Sequence, residues 1–416
     1  MSRRALTIGF ALSMTLLAST LALAQEKLEL FSWWTGDDDA GLRALVQKYN
    51  SLYPDVAVTN VTAAIGPEAD ARAVLRTRML AGDPPDAFQA RGGPDLIDPW
   101  VIANRIEDLA GFYKTQGWNA AFPRDLIALI STKAGIWSLP LAVNKSNVLW
   151  YVPSRLSAWG VFPPRTMGEL FADCQKLKDA GVASPISVGN ESTLVHLWES
   201  ITVATLGPDD WSALWSGRLR FTAPRVVRVW DNFGKALEYA NTDGAGLTWQ
   251  QAIDRVVKGE SAFTFMGDWT ERYLSTTLKL VPGQGFAWVP APGTNGIYIA
   301  RTDSFCIPKG FKDHASVFKW FMLLGSREAE DIFNTANGSI SPRRDQDAAK
   351  YDPYFQSAIR DWRDSRIVGS MAHGVAAPPS FVSQFPDAIG IYLATKDPSA
   401  AANAVQAIAD QTHVGR

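Results

Sequence analysis

The chain alternates short apolar runs with amphipathic stretches. Residues 28–32, Leu-Glu-Leu-Phe-Ser, read as a strand. Over residues 37–53, Leu42, Leu45, Val46 and Tyr49 share one helical face, and Pro54 closes the segment. Val56, Val58 and Val61 read as a second strand, and residues 69–81 carry a second helix with Val74, Leu75, Met79 and Leu80. The breaker Gly82-Asp83-Pro84-Pro85 precedes a short buried strand at 86–89. This β-α-β-α-β order predicts an open, mainly parallel α/β sheet. In such sheets ligands bind where loops leave the carboxyl ends of the strands.

Residues 137–144 lead into another strand at 148–152. Pro163-Pro164-Arg165-Thr166 opens a helix running to about residue 180, with Thr166 as N-cap and Glu169 completing a capping box. Further helices are expected over 195–206, 224–241 and 249–258, and a buried strand over 261–266. The 416 residues suggest two domains. No Gly/Ser linker, repeat or charge run divides them, so short ordered crossings must join them.

The N-terminus breaks this pattern. Arg3 and Arg4 precede an apolar run over 5–21, and Ala22-Leu23-Ala24 is a small-x-small cleavage site before Gln25. This is a signal peptide, residues 1–24, rather than an anchor, because the run is short and leads straight into the cleavage site. No cysteine stands nearby for a lipid anchor. An exported, periplasmic protein of 392 residues is expected. Cleavage removes two of the 40 basic residues and no acid, which leaves 38 against 42 and a net charge of -4. A nucleic-acid partner wants a basic face, so that class is set aside. Cys174 and Cys306 cannot form a disulfide scaffold or a tetrahedral thiolate site, and free thiols are expected.

No phosphate-binding loop, nucleophile elbow or zinc-protease motif is present, and the four histidines have no ligand spacing. No metal or cofactor is expected. Four clusters remain. Trp33-Trp34-Thr35-Gly36-Asp37-Asp38-Asp39 lies between a strand and a helix. Adjacent residues of a strand face opposite ways, so at most one Trp should join a given core. The cluster reads equally as a core Trp with acids at a helix start, or as a platform for a sugar's C–H face with acids to accept its hydroxyls. Gln89-Ala90-Arg91-Gly92-Gly93-Pro94 follows a strand at the same sheet edge, and the plain alternative is a turn with a solvated Arg. Phe265-Met266-Gly267-Asp268-Trp269 reads as a strand ending in an acid and an aromatic, and Met371-Ala372-His373-Gly374 carries a histidine that could be structural.

Taken in order, these clusters resemble a known family. To them are added Ala81-Gly82-Asp83-Pro84-Pro85-Asp86, the Leu139-Pro140 strand into Asn144, Thr302-Asp303-Ser304-Phe305 and Asn337-Gly338-Ser339-Ile340. The chain resembles the extracellular solute-binding proteins of ABC sugar importers, the maltose-binding-protein class, and within it the periplasmic branch that binds glucose and related monosaccharides. The resemblance implies an α/β fold of two lobes with a hinge and a central cleft. Lobe one would comprise 25–142 with 303–341, and lobe two 147–299 with 342–416. Crossings would fall near 142–145, 299–303 and 341–343.

The same resemblance implies a monosaccharide ligand resembling glucose, an inner-membrane ABC permease as partner, a monomer, and no catalysis. By position, Trp33 and Trp34 match the tandem Trp that frames the sugar, and Asp39 the acid that follows. Arg91 stands where the branch has Lys, and Asn144 and Lys145 replace a His-Arg pair. Trp269, Asp303 and His373 match as they stand. A disaccharide-binding importer component is the near alternative. A secreted glycoside hydrolase or lyase is the distant one, and it would need two carboxyls about 5–9.5 Å apart. Iron or polyamine binding on the same fold is disfavoured by Arg91.

Overall fold

The structure is a computed structural model. It describes residues 26–34, 39–61, 68–311 and 314–415. The expected signal peptide, residues 1–24, and Thr35, Gly36, Asp37 and Asp38 lie outside the described residues.

Among the described residues, twelve strands form two sheets and a hairpin. They are β1 (Glu26–Phe31), β2 (Val56–Asn60), β3 (Ala87–Ala90), β4 (Ser131–Thr132), β5 (Gly135–Ile136), β6 (Leu139–Lys145), β7 (Val148–Tyr151), β8 (Ile186–Ser187), β9 (Phe263–Phe265), β10 (Ala287–Pro290), β11 (Ile297–Cys306) and β12 (Arg366–Gly369). The larger sheet runs β12-β11-β3-β1-β2, with β6 also paired to β11; the smaller runs β10-β7-β9-β8; β4 and β5 form the hairpin.

The expected βαβαβ start is present, with β2 and β3 both parallel to β1. The mainly parallel sheet is not. β11 enters antiparallel to both β3 and β6, and β7 is antiparallel to both β9 and β10. The larger sheet is mixed because β11 runs antiparallel to β3 and β6 while staying parallel to β12.

Local signals set the helix starts. Thr166 and Glu169 form the expected capping box on Met167–Asp179, and Thr248 with Gln251 forms a second one on Trp249–Lys258. The helix expected at 195–206 runs over Glu191–Trp215 and kinks at Gly207, whose φ of 76° interrupts the helical backbone before Pro208. The segment expected at 224–241 ends earlier, as Pro224–Leu237.

Two hydrophobic clusters fill the interior. One centres on the larger sheet through Leu30, Phe88, Phe305 and Trp320, and extends to Trp150, Tyr354 and Trp362. The other joins the smaller sheet to helices through Phe263, Trp198, Trp230 and Phe385. Cys306 lies in the first and Cys174 in the second; both are buried and free, as expected. β6 pairs with β11 from Leu139–Phe305 to Lys145–Ala300, and Ile340 bridges Val143. The three segments read as crossings therefore lie side by side.

Candidate functional site

Beside these paired segments lies a cleft of about 520 Å³. Its aromatic walls are Trp34, Trp249, Trp269 and Tyr273. Amides and a hydroxyl come from Asn144, Gln250, Asn337 and Thr277, and cationic or ring nitrogens from Arg272, Arg301 and His373. Among the described residues no carboxylate lines it.

Trp269 is half-buried at the first position of a short helix, Trp269–Arg272, and not at a strand end. β9 stops at Phe265, and Met266-Gly267-Asp268 turns the chain. A Cβ on Gly267 would lie 2.1 Å from the Trp269 ring, so only glycine permits this approach. The ring stands edge-on to His373, with centroids 5.2 Å apart, and 5.3 Å from His196. Ser370 Oγ lies 3.0 Å from His373 Nδ1 and fixes that ring.

Behind this wall the carboxylates are occupied. Asp268 accepts from Asn144 Nδ2 and from the Lys145 backbone N–H, both at 2.8 Å. Burial pushes its pKa up to about 7. Glu199 accepts from Ser370 Oγ at 3.0 Å and the Met371 N–H at 2.5 Å, and burial pushes it up to about 7 as well. Burial drives the histidines the other way: His196 falls to about 4, and His373 well below its ordinary value. The positive charge of Arg301 adds to both falls.

Of the nine residues expected at the site, Trp34, Asn144, Trp269 and His373 line the cleft. The other five are not among its lining residues. Trp33 does not alternate with Trp34. Both lie past the end of β1, where strand alternation no longer holds, and both join the same core cluster. Trp34 packs on Phe333 at 4.7 Å, while the Arg72 guanidinium covers Trp33 at 4.2 Å.

Asp39 pairs with Arg43 at 3.1 Å on its own helix. Arg91 reaches the His373 carbonyl at 3.4 Å. Asp303, at a β-bulge in β11, accepts from Gln89 Nε2 at 2.9 Å and pairs with Arg301 at 3.3 Å. Lys145 is buried with its ammonium 2.5 Å from Asp361.

Sequence reasoning missed Trp249, Gln250, Arg272, Tyr273 and Arg301. Arg301 was the most accessible of these, being one residue before the Thr302-Asp303 motif. The others follow a capping box or the Trp269 motif by a few positions and carry no pattern of their own.

A family model described as bacterial extracellular solute-binding protein matches residues 33–331. The chain belongs to this family. It is 30% identical to an uncharacterised ABC transporter extracellular-binding protein of Pyrococcus horikoshii, covering 91% of this chain and 86% of that one. It is 28% identical to a probable sugar-binding periplasmic protein of Rhizobium meliloti, covering 91% and 92%. Among solved structures, the bacterial solute receptor AcbH, reported to prefer β-D-galactopyranose exclusively, superposes with a TM-score of 0.79 at 17% identity over 94% of this chain and 99% of that one. The fold is thus the two-lobe solute-binding fold.

As a member of the family the chain is an extracytoplasmic binding protein and not an enzyme. Among the described residues no helix is long and apolar enough to cross a membrane.

Proposed function

We propose that this protein captures a sugar for an ABC importer. It closes its lobes over a single hexose resembling glucose and presents the closed form, as a monomer, to an inner-membrane permease. The observation that carries the reading is the convergence of Trp34, Trp249, Trp269 and Tyr273 with Asn144, Gln250 and Asn337 on one cleft. Aromatic faces pack on the apolar C–H face of a pyranose while amides bond its hydroxyls. The name of the Rhizobium meliloti relative supports the ligand class, and AcbH illustrates the same fold holding one pyranose.

The lobes are proposed as 25–142 with 303–341 and 147–299 with 342–416, meeting at the paired crossings. Closure about these crossings would trap the ligand. Trp269 supplies the stacking face, Asn144 and His373 polar contacts, and Trp34 the floor. Trp33, Asp39, Arg91 and Asp303 support that wall.

A second reading is a disaccharide. A chamber of about 250 Å³ adjoins the cleft, shares Arg272 and Gly338 with it, and adds Asn334, Thr335 and Asp352. A thermal-shift screen against neutral and acidic mono- and disaccharides tests both readings, because a ligand that binds only the folded state raises Tm. A monosaccharide should shift Tm in the wild type and much less in Trp269→Ala. A shift confined to disaccharides would favour the second reading. No shift with any sugar would refute both.

A further inference from the structure

His373 meets the cleft with one ring nitrogen and the buried interior with the other. A neutral imidazole has one nitrogen that donates and one that accepts, and the hydrogen bond at one decides the role of the other. Nδ1 of His373 lies 3.0 Å from Ser370 Oγ, so Nε2, at the far corner of the ring, is the polar atom His373 keeps for the cleft it lines. Ser370 is fully buried, and its Oγ also lies 3.0 Å from both carboxyl oxygens of Glu199. Glu199, 1% exposed, takes the Met371 N–H at 2.5 Å and the Ala372 N–H at 3.2 Å, both on Oε1. Among the described residues Oε2 meets Ser370 only.

A hydroxyl has one proton, so Ser370 can donate to only one of these two neighbours. With Glu199 ionised, Ser370 donates to the carboxylate and must accept from Nδ1–H; Nε2 then carries a lone pair. With Glu199 protonated on Oε2, the acid donates to Ser370, Ser370 turns its proton to Nδ1, and Nε2 carries the hydrogen. One proton enters, at Glu199, and His373 is neutral in both states. Burial pushes Glu199 up to about 7 and His373 well below its ordinary value, so near neutrality the acid titrates and the imidazole does not.

The surroundings keep this chain of bonds intact. His196 lies one turn before Glu199 on the helix Glu191–Trp215, and burial lowers it to about 4. The helices packed on that one bring apolar rings, Trp230 and Phe385 against Trp198. Arg366, the charge on β12, is exposed beside Asp125 and Asp209. Burial first, then His196, Arg301 on β11 and Arg91 past β3 disfavour a charge on His373. Asp268 and Glu271, on either side of Trp269, are also raised to about 7 by burial and titrate in the same range as Glu199.

We infer that Glu199, acting through Ser370, sets the tautomer of His373, so that the nitrogen His373 offers a sugar accepts a hydrogen bond when Glu199 is ionised and donates one when it is protonated. This rests on the proposed reading of the cleft as a sugar site and adds a regulated contact to it. Glu199 and Ser370 are positioning residues, since both act through His373.

Nitrogen NMR of the histidine-labelled protein, with His373 assigned by its loss in His373→Asn, reads the tautomer without any ligand. In the wild type the proton should pass from Nε2 to Nδ1 between about pH 5 and about pH 8. Glu199→Gln, whose amide can donate to Ser370 at every pH, should keep it on Nε2 throughout. Ser370→Ala should abolish the pH dependence although Glu199 remains. Titration calorimetry with D-glucose and D-galactose reads the consequence. A lone pair on Nε2 adds an acceptor for a sugar hydroxyl to a wall that, among the described residues, has no carboxylate, so the better-bound hexose should gain affinity as pH rises. Because Asp268 and Glu271 titrate alongside, the informative quantity is a comparison. The affinity ratio between the two pH values should be roughly three- to tenfold larger in the wild type than in Glu199→Gln, the span of one hydrogen bond.

A wild-type tautomer that stays fixed across this range, or one that follows pH equally in all three proteins, overturns the inference. A tautomer that follows Glu199 while the affinity ratio is no larger in the wild type overturns the contact between Nε2 and the sugar. If neither hexose binds at any pH, the underlying sugar reading fails, and the NMR series still decides whether Glu199 sets the tautomer.

Discussion

Lys145 shows how a matching position can take a different role. Its ammonium lies 2.5 Å from Asp361 and 5.6 Å from the Tyr298 ring, away from the cleft. Its backbone N–H serves Asp268 whatever the side chain. Lys145→Met should therefore lower stability by about 2 kcal/mol, the scale of a lost charged hydrogen bond whose acid partner can rehydrate. Ligand affinity should change less than threefold, about half of the 1.4 kcal/mol that a factor of ten represents. Denaturant melts and titration calorimetry on one preparation check both. A large affinity loss at unchanged stability would restore Lys145 to the site.

Glu199 allows a test by pH. Burial raises its folded pKa to about 7, above the ordinary carboxyl value, so the folded state binds the proton more tightly than the unfolded chain. Its contribution is fully present below the unfolded pKa and is lost as pH rises through about 7. His196 runs opposite: its folded pKa is depressed to about 4, so its contribution is present above the unfolded value and lost as pH falls. Because these trends overlap in acid, the informative quantity is a difference. The Tm of Glu199→Gln minus that of the wild type should rise from the ordinary carboxyl pKa up to about pH 7 and level off above it. A flat difference would mean that Glu199 stays ionised, held by the donors at Ser370, Met371 and Ala372.

At the level of elements, the site depends on one turn. Gly267 lets the Trp269 ring fold back over the backbone, and Asp268 anchors the turn to β6 through Asn144 and Lys145. Gly267→Ala puts a Cβ 2.1 Å from the ring, and because that ring faces the cleft, the ring must swing out. Sugar affinity should fall at least tenfold, comparable to losing one aromatic contact of about 1.4 kcal/mol. The fold should stay intact by far-UV circular dichroism. Retained affinity would show that Trp269 does not stack on the ligand.

This turn also marks how far the sequence could be read. The helices at Met167–Asp179 and Trp249–Lys258 were legible from spacing and N-terminal residues, because those signals are local. The break at Gly207-Pro208 was legible too: the helix expected to end at 206 does stop at Gly207, whose backbone is non-helical, and a second helical segment starts at Pro208. Asn144, Trp269 and His373 were placed by family resemblance. Arg301, Trp249 and Arg272 were missed, because they meet only after distant segments pack and no local spacing announces them.

For the whole molecule, the decisive structure is the set of paired segments, β6 against β11 with Ile340 bridging Val143, that we propose as the crossings between lobes. Asn147, fully buried where β6 passes into β7, joins that crossing to the segment entering β11. Its amide nitrogen donates to Thr294 Oγ1 at 2.8 Å and to the Ile297 carbonyl at 3.0 Å, its side-chain oxygen accepts from the Ile299 N–H at 3.0 Å, and its own carbonyl accepts from the Ala291 N–H at 3.0 Å. No aspartate could do this: it can accept from Ile299 but cannot donate, and its charge would face the Ile297 carbonyl. Asn147→Ala leaves a buried N–H and a carbonyl unmatched, a loss of about 1–3 kcal/mol. Asn147→Asp, although isosteric, should be destabilised at least as much. Urea unfolding, with m compared alongside the midpoint, separates this from a change in the unfolded chain. If two lobes swing on these crossings, a loosened crossing also raises the ordering cost of the closed form, so both variants should release ligand faster in stopped-flow tryptophan fluorescence although neither touches the cleft. An Asn147→Asp protein as stable as the wild type would show that the donor half of this amide does not brace the crossings.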